Sequence, residues 1–462
     1  MSQELGLHEY KFSPAALRRA WDARVRRGDN LLYLFPELEP VHAQVREAKA
    51  KSRDELKLYK NDSPLRETVK ERHRQQIEAL EAIYDSTLQT ALERTAMEIQ
   101  KILESGDYGL CIKTKPPLSS DPRKRPLYAL DQNTGASYFL ARQVEYELKT
   151  QTRRSMSDRN MLTRQLATAL ENTKGKIVIR TDIEQFYESI EHSKIRSLLR
   201  DSHHLSRTAY TYLDQLLDSY AQTVGSKKGI PRGMAISARI AEIYMANVDQ
   251  NIPMDGVIMY LRYVDDIVIV ANALPGLPTL GQHMDRLKKI IVSHGLFLNA
   301  TKTKAFQTPS EKNFKENVEF LGYDYILTER GVKLDISKKR FDRYKQRVLI
   351  SLDAHLQQNT QRSYLMLVER MRYLMGNTRL SNNRRQALIG IYFSNSALPE
   401  VGTRIRALDA FTRQEIQKRI ADPEQAKQLL RMNFEDGFRR RTFSALSPGR
   451  ISSIVKVWKH VI

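Results

Sequence analysis

Apolar positions along the chain change period twice. Between residues 77 and 103 they recur at Ile77, Leu80, Tyr84, Leu88, Leu92, Ile99 and Leu103, mostly three or four apart, with charged and polar residues between. That is the period of one helix face turned to a core. Asp62-Ser63-Pro64 ahead of it is a start signal, a capping residue before proline at the first helical position. Residues 1–105 therefore read as helical, with one long amphipathic helix or two in line. Residues 106–150 carry the loop signals Lys113-Thr114-Lys115-Pro116-Pro117 and Asp121-Pro122-Arg123-Lys124-Arg125-Pro126, then return to a helical pattern at 137–149. From 150 to 335 short strand-like runs alternate with helix-like runs, as in an α/β or α+β domain. The strand-like runs are 177–181, 257–263, 267–271, 303–306 and 320–326. The helix-like runs are 192–199, 206–221, 237–248 and 280–294. From 336 onward the pattern is helical again and strongly basic, with clusters at Lys338-Lys339-Arg340, Arg384-Arg385 and Arg439-Arg440-Arg441. No internal repeat or low-complexity tract interrupts it.

Length and charge narrow the class. The chain has 462 residues and 41% hydrophobic content, enough for two or three packed domains. Lys plus Arg total 75 against 54 Asp plus Glu, a formal net charge of +21. A surplus of that size fits a polyanionic partner, nucleic acid before others, although a merely basic soluble protein stays open. The single cysteine, Cys111, rules out a disulfide framework within the chain and fits a reducing cytoplasm. Met1-Ser2-Gln3-Glu4-Leu5-Gly6 lacks the basic start and apolar core of a signal peptide. No apolar run approaches the roughly 18 residues that span a bilayer, so no membrane partner is expected. His203-His204 reads as a surface pair, since adjacent helical residues face different ways.

Three segments carry candidate chemistry. In Tyr260-Leu261-Arg262-Tyr263-Val264-Asp265-Asp266-Ile267-Val268-Ile269-Val270, two adjacent carboxylates interrupt an apolar hairpin. Side-by-side carboxylates repel unless a cation neutralises them. In Ile177-Val178-Ile179-Arg180-Thr181-Asp182-Ile183-Glu184-Gln185-Phe186-Tyr187, an apolar strand ends in a third carboxylate. Together Asp182, Asp265 and Asp266 offer the hard oxygen ligands that Mg²⁺ prefers. Gly229-Ile230-Pro231-Arg232-Gly233-Met234-Ala235-Ile236-Ser237 is a glycine-punctuated loop that lets backbone approach a flat partner. Each segment alone also fits a plain turn or a solvated hairpin tip.

Taken in order, these segments resemble the motifs of reverse transcriptases, right-hand polymerases with palm, fingers and thumb. The 181–187 segment resembles the first catalytic motif and Gly229 to Tyr244 the template- and nucleotide-binding loop and helix. Tyr263-Val264-Asp265-Asp266 matches the Tyr-x-Asp-Asp box. Gly295-Leu296-Phe297-Leu298-Asn299 with Lys302-Thr303-Lys304 resembles the next motif, and Phe320-Leu321-Gly322-Tyr323 the primer-grip hairpin. The resemblance covers residues 110–335.

The resemblance implies an α+β fold with helical N- and C-terminal extensions: a helical extension at 1–105, fingers at 106–175, palm at 176–335 with a fingers segment at 192–228, and thumb plus basic extension at 336–462. It implies that Asp182, Asp265 and the backbone carbonyl of Ile183 bind two Mg²⁺ ions, with Mn²⁺ as an alternative, and that Asp266 supports the cluster. Tyr187 resembles the aromatic that closes the space beside the sugar 2′ position. Arg125, with Lys113 as rival, resembles the fingers residue that meets the triphosphate. Arg232 and Gly233 fall beside the nucleotide, and Lys302 near the pyrophosphate leaving group. Gly229, Pro231, Gly322 and Tyr323 fall where the family holds primer and template.

Two departures stand out. Pro231-Arg232-Gly233 replaces the commoner Pro-Gln-Gly, and Ile240-Ala241-Glu242 replaces Leu-Ala-Asn. Such variation resembles bacterial abortive-infection and other phage-defence members. The C-terminal third has no ribonuclease H pattern and no Cys/His nuclease finger. The expectation is a cytoplasmic RNA-directed DNA polymerase of antiviral defence. Its partners would be a non-coding RNA template, dNTPs and a DNA product, with a homo-oligomer or a second reverse transcriptase subunit as a further partner. Three alternatives stay open: a template-independent or protein-primed DNA polymerase, an RNA-dependent RNA polymerase, and a silent RNA-binding scaffold.

Overall fold

The computed structural model describes residues 11–458 apart from 27, 60–63, 116–124, 132–133, 153–157, 202–204, 310–313, 381–387 and 442. The Met1 to Gly6 start, Asp62-Ser63, Pro116-Pro117, Asp121 to Lys124, His203-His204 and Arg384-Arg385 lie outside the described residues.

Helices α1 (Pro14–Val25), α2 (Leu38–Leu56) and α3 (Pro64–Ser105) open the chain. Hairpin β1 (Ile112–Lys115) and β2 (Leu127–Leu130) leads to α4 (Gly135–Gln151) and α5 (Arg159–Ala169). The centre runs β3 (Lys176–Asp182), α6 (Phe186–Ser189), α7 (His192–Arg200), α8 (Arg207–Val224), α9 (Ala235–Asp249), β4 (Val257–Tyr263), β5 (Asp266–Asn272), α10 (Leu280–Ser293) and β6 (Lys304–Gln307). A second sheet follows, β7 (Lys315–Phe320), β8 (Tyr323–Thr328) and β9 (Gly331–Ile336). The remainder is α11 (Lys338–Leu356), α12 (Gln361–Met375), β10 (Asn377–Leu380), β11 (Leu388–Gly390), α13 (Thr403–Arg419), α14 (Pro423–Leu430), α15 (Phe434–Arg440), β12 (Phe443–Leu446) and α16 (Pro448–Val455).

The central sheet has the order β4-β5-β3-β6 and every pairing in it is antiparallel, which makes this part α+β rather than α/β. Its strands are apolar without alternation because both faces are covered. Ile177, Ile179, Ile267 and Ile269 pack into one core with α4, α8 and α9. Val178, Val268 and Val270 point the other way, into a core shared with α5, the second sheet, α11 and α12. The sheet thus separates two hydrophobic bodies and holds its Asp182 end rigid between them.

The long helical stripe forms a single helix of 42 residues, α3, with Leu88, Leu92 and Ile99 buried. It packs on α2 and α4, where Gly135 has no room for a side chain: a Cβ there would meet the Phe35 ring at 2.7 Å and Thr95 Oγ1 at 2.9 Å. Three expectations need correction. The 320–326 run is two strands joined at Leu321-Gly322, with φ of 51° and 77°. The loop signals of 106–150 flank a hairpin, β1–β2. The tail is not wholly helical, since β10 pairs antiparallel with β11 and parallel with β12. Among the described residues no helix is long and apolar enough to cross a membrane.

Candidate active site

The β4–β5 hairpin pairs Tyr263 with Asp266 and leaves Val264-Asp265 as its turn. Val264 has φ of 60°, a strained value for a β-branched residue at a turn position usually given to glycine. Two hydrogen bonds hold it there. Arg262 Nη1 donates to the Val264 carbonyl at 3.1 Å, and the Ile183 amide donates to the Asp265 carbonyl at 3.1 Å. Arg262 is itself buried, with Nη2 2.8 Å from Glu242 Oε1 and 2.7 Å from Asp249 Oδ2 on α9. Glu242, the residue that departs from the common pattern, is thus the partner of the guanidinium that pins the turn.

Strand β3 brings the third carboxylate alongside: Asp182 is the register partner of Asp266. The segment after α10 closes the site from its other side. The Asn299 amide donates to the Asp182 carbonyl at 2.9 Å and the Glu184 amide to the Phe297 carbonyl at 2.8 Å.

The three carboxylates have different surroundings. Asp182 is 7% exposed, its Oδ2 is ion-paired to Lys302 Nζ, and its Oδ1 is buried with no hydrogen-bond partner. Asp266 Oδ1 is 2.6 Å from Arg180 Nη2. Burial nonetheless pushes the Asp266 carboxyl up to about 6, with Asp265 and Asp182 adding to the rise and Arg180 opposing it. Burial also raises Asp265, again with help from Asp182. A buried carboxylate group that resists its own charge is short of positive charge. Among the described residues no three His, Cys, Asp or Glu side chains already form a cage for an ion. The donor set is still all oxygen, with one Asp182 oxygen orphaned and the other held by the Lys302 ammonium. That chemistry fits a hard divalent cation.

Residues 137–325 match the family described as reverse transcriptase (RNA-dependent DNA polymerase). This part of the chain is a reverse transcriptase domain. The mixed helix and sheet around it are consistent with a right-hand polymerase fold. Comparison with curated proteins gives no match. Among solved structures, apo telomerase from Candida tropicalis truncated from its C-terminal domain is 15% identical, over 49% of this chain and 55% of that one, with a TM-score of 0.33. Telomerase from Candida albicans with a TWJ fragment of telomeric RNA is 13% identical, over 70% of this chain and 65% of that one, TM-score 0.35. Apo telomerase from Candida tropicalis is 14% identical, over 78% and 70%, TM-score 0.35. The chain spans 55% and 65% of the first two.

Within the reverse transcriptase domain, Asp182, Ile183, Asp265, Asp266 and Lys302 come together at one end of the sheet. Tyr187, on α6, lies beside them. Its hydroxyl is raised, mostly by burial and next by the Asp265 charge. The Arg232 guanidinium stacks on its ring, 4.9 Å from the centroid. Arg232 also forks onto Glu188, with Nε and Nη2 at 3.2 Å from its two oxygens. Arg125 Nη1 reaches the same carboxylate at 2.5 Å, so Glu188 joins the two arginines expected at the nucleotide. Lys113, the rival of Arg125, is instead ion-paired to Asp131.

The glycine-punctuated loop divides into a buried and an open half. Gly229 and Pro231 are buried, and the Gly229 amide donates to the Ile190 carbonyl at 2.7 Å. These two positions shape the loop from inside. Gly233, with φ of 95°, is exposed under β2, where the Tyr128 amide donates to the Arg232 carbonyl at 2.8 Å. Gly322 and Tyr323 stand apart, at the β7–β8 turn. Sequence reasoning passed over Glu188, Arg180, Arg262 and Asp249. Only Glu242 carried a signal, as a charged residue in a helix otherwise bound for the core.

Proposed function

We propose that the chain is an RNA-directed DNA polymerase that extends a primer 3′-hydroxyl with deoxynucleotides, and that Asp182, Asp265 and the Ile183 carbonyl are ligands for two divalent cations. The observation that carries this reading is the meeting of Asp182, Asp265 and Asp266 inside a reverse transcriptase domain, with Asp182 Oδ1 buried and unpartnered. Mg²⁺ is the ion an all-oxygen site of this kind favours, with Mn²⁺ as substitute, and such ions stabilise charge on the attacking and leaving oxygens. Asp266 keeps Arg180 beside the cluster. Lys302 carries the proton that the departing pyrophosphate takes up. The Tyr187 ring, braced by Arg232, excludes a 2′-hydroxyl. Arg125 and Arg232 meet the triphosphate, and Gly233 lets the base pair approach the backbone. Gly322 and Tyr323 guide the primer.

The same reading takes residues 106–175 as fingers, 176–335 as palm and 336–462 as thumb with a basic extension, after a helical segment at 1–105. Arg232 and Glu242 support placement among bacterial defence reverse transcriptases working in the cytoplasm with a non-coding RNA, alone or with a second subunit. The deciding variant is Asp265→Asn with Asp266→Asn. It should lose DNA synthesis and keep RNA binding; synthesis at the wild-type rate ends the proposal. Sequencing the nucleic acid that copurifies with the protein tests the RNA partner. Offering dNTPs and NTPs, with and without template, separates this reading from template-independent DNA synthesis and from RNA synthesis.

A further inference from the structure

Arg180, on β3, stands diagonally across from Asp266 on the neighbouring strand β5: its own register partner there is Val268, and Asp266 is opposite Asp182. Residues two apart on a strand share a face, so the guanidinium and these two carboxylates lie on one side of the sheet. Arg180 Nη2 is 2.6 Å from Asp266 Oδ1. Its Nη1 donates to the Lys302 carbonyl at 3.1 Å, and its Nε is buried without an acceptor. One guanidinium therefore ties the third carboxylate to the loop that carries Lys302.

The two cations paired to these carboxylates differ in their freedom. The Lys302 side chain is 57% exposed, with its ammonium on Asp182 at the end of a flexible stem. The Arg180 side chain is 19% exposed and is held at two points. An exposed ammonium can leave its carboxylate when a divalent cation arrives. A buried guanidinium with two bonds stays where it is, and it keeps its proton at any working pH. Lys304, opposite Arg180 on β6, is engaged with Glu316 and the Asn317 carbonyl and does not compete for Asp266.

The carboxylates divide accordingly. Asp182 Oδ1 has no partner, and Asp265 is ion-paired to no described side chain. Of the three, only Asp266 is matched by an arginine. Three carboxylates left free would bind divalent ions tightly. A fixed positive charge among them lowers that affinity and takes one carboxylate out of the ligand set.

We propose that Arg180 is a positioning residue that withholds Asp266 from the metal ions and seats Lys302 by its backbone, so that the free protein binds those ions less tightly than its carboxylates allow. The inference rests on the polymerase reading for the assignment of Asp182 and Asp265 as metal ligands. The probe is Mn²⁺, titrated into the full chain without nucleotide and followed by the loss of its free-ion electron paramagnetic resonance signal. Arg180→Gln should tighten Mn²⁺ binding about three- to tenfold and yet lower kcat for dNTP incorporation about tenfold or more. A merely loosened site would weaken both together, so opposed changes mark the role. Unchanged or weaker Mn²⁺ binding in Arg180→Gln overturns the withholding of Asp266, and an unchanged kcat overturns the seating of Lys302.

If Arg180→Gln fails to fold, Arg180→Gln combined with Asp266→Asn decides, because it removes both charges of the pair and strands neither. Mn²⁺ binding within about fivefold of wild type means that Asp266 was not a ligand and supports the proposal; a larger loss means that Asp266 holds an ion and overturns it. Asp265→Asn separates this inference from the reading beneath it and should weaken Mn²⁺ binding about tenfold or more. If it does not, the ions sit elsewhere, and the metal assignment falls together with the proposal. If it does and Arg180→Gln binds Mn²⁺ as wild type does, the proposal alone falls.

Discussion

Arg262 and Glu242 form a two-point ion pair in the interior, with side chains 5% and 7% exposed and nitrogen–oxygen distances of 2.8 and 3.0 Å. Asp249 takes the other edge of the same guanidinium. The fork both satisfies two carboxylates of α9 and holds the Val264 carbonyl in its strained turn. Arg262→Leu would leave Glu242 and Asp249 without their cation and should cost about 3–5 kcal/mol. Glu242→Gln keeps the Asp249 pair and should cost about 1–3 kcal/mol. Urea unfolding measures both. An Arg262→Leu chain as stable as Glu242→Gln would show that the clamp does not act as a unit.

Glu188 restrains the two arginines assigned to the triphosphate. Its side chain is 30% exposed, and pairs of that exposure are worth about 0.2–1 kcal/mol each. Glu188→Gln should release Arg125 and Arg232 and lower the dNTP KM by about 1.5- to 5-fold with kcat unchanged, the signature of a change in uniform binding. Arg232→Gln should raise KM. Steady-state incorporation on a homopolymer template gives both numbers. A rise in KM for Glu188→Gln would mean that the carboxylate orients the arginines instead of competing for them.

The main features of the site could be read from residue order, because they are local. β3 is expected over 177–181 and spans Lys176–Asp182, since Ile177-Val178-Ile179 followed by Thr181 is a β-branched pattern that suits few other environments. The turn at Asp265 was equally plain, being two charges in an apolar hairpin. What escaped depends on distant partners. Glu242 reads as an oddity until Arg262, 20 residues on, is seen to need it. Leu321 gives no warning of its φ of 51°, so two strands read as one. Strands β10 and β12 are four residues each, and Asn377 pairs with Phe443 far along the chain, so neither has a local period to detect.

Tyr187 is held edge-on to Phe186, with centroids 5.6 Å apart, and capped by Arg232. A ring fixed on two sides cannot easily swing away from a 2′-hydroxyl. Tyr187→Ala should raise ribonucleotide incorporation relative to deoxynucleotide by about tenfold or more, measured as the ratio of kcat/KM values. Tyr187→Phe keeps the ring and should leave that ratio within about threefold. Equal ratios for Tyr187→Ala and wild type would place the 2′ filter on another residue.

His192 couples loop stability to pH. Its Nε2 lies 2.7 Å from the Gly229 carbonyl, and a carbonyl only accepts, so the neutral ring carries its proton on Nε2. Nδ1 is then buried with no partner. A second proton would be placed there without an acceptor, beside the Tyr220 ring at 6.4 Å. Burial lowers the His192 pKa below 6.5; the Gly229 bond and Asp218 oppose the shift, and Arg196 adds to it. The unfolded chain therefore takes up this proton first as pH falls. The contribution of His192 to stability is complete above about pH 6.5 and is lost as pH drops through the lower folded value. His192→Gln keeps a donor for Gly229 without a titrating ring. It should cost about 0.5–1.5 kcal/mol at pH 7.5 and give a shallower loss of stability between pH 6.5 and 5. His283 and His355 are also lowered by burial, so some slope should remain. Urea unfolding at half-unit pH steps resolves the difference, and parallel curves for variant and wild type would remove His192 as a source of acid sensitivity.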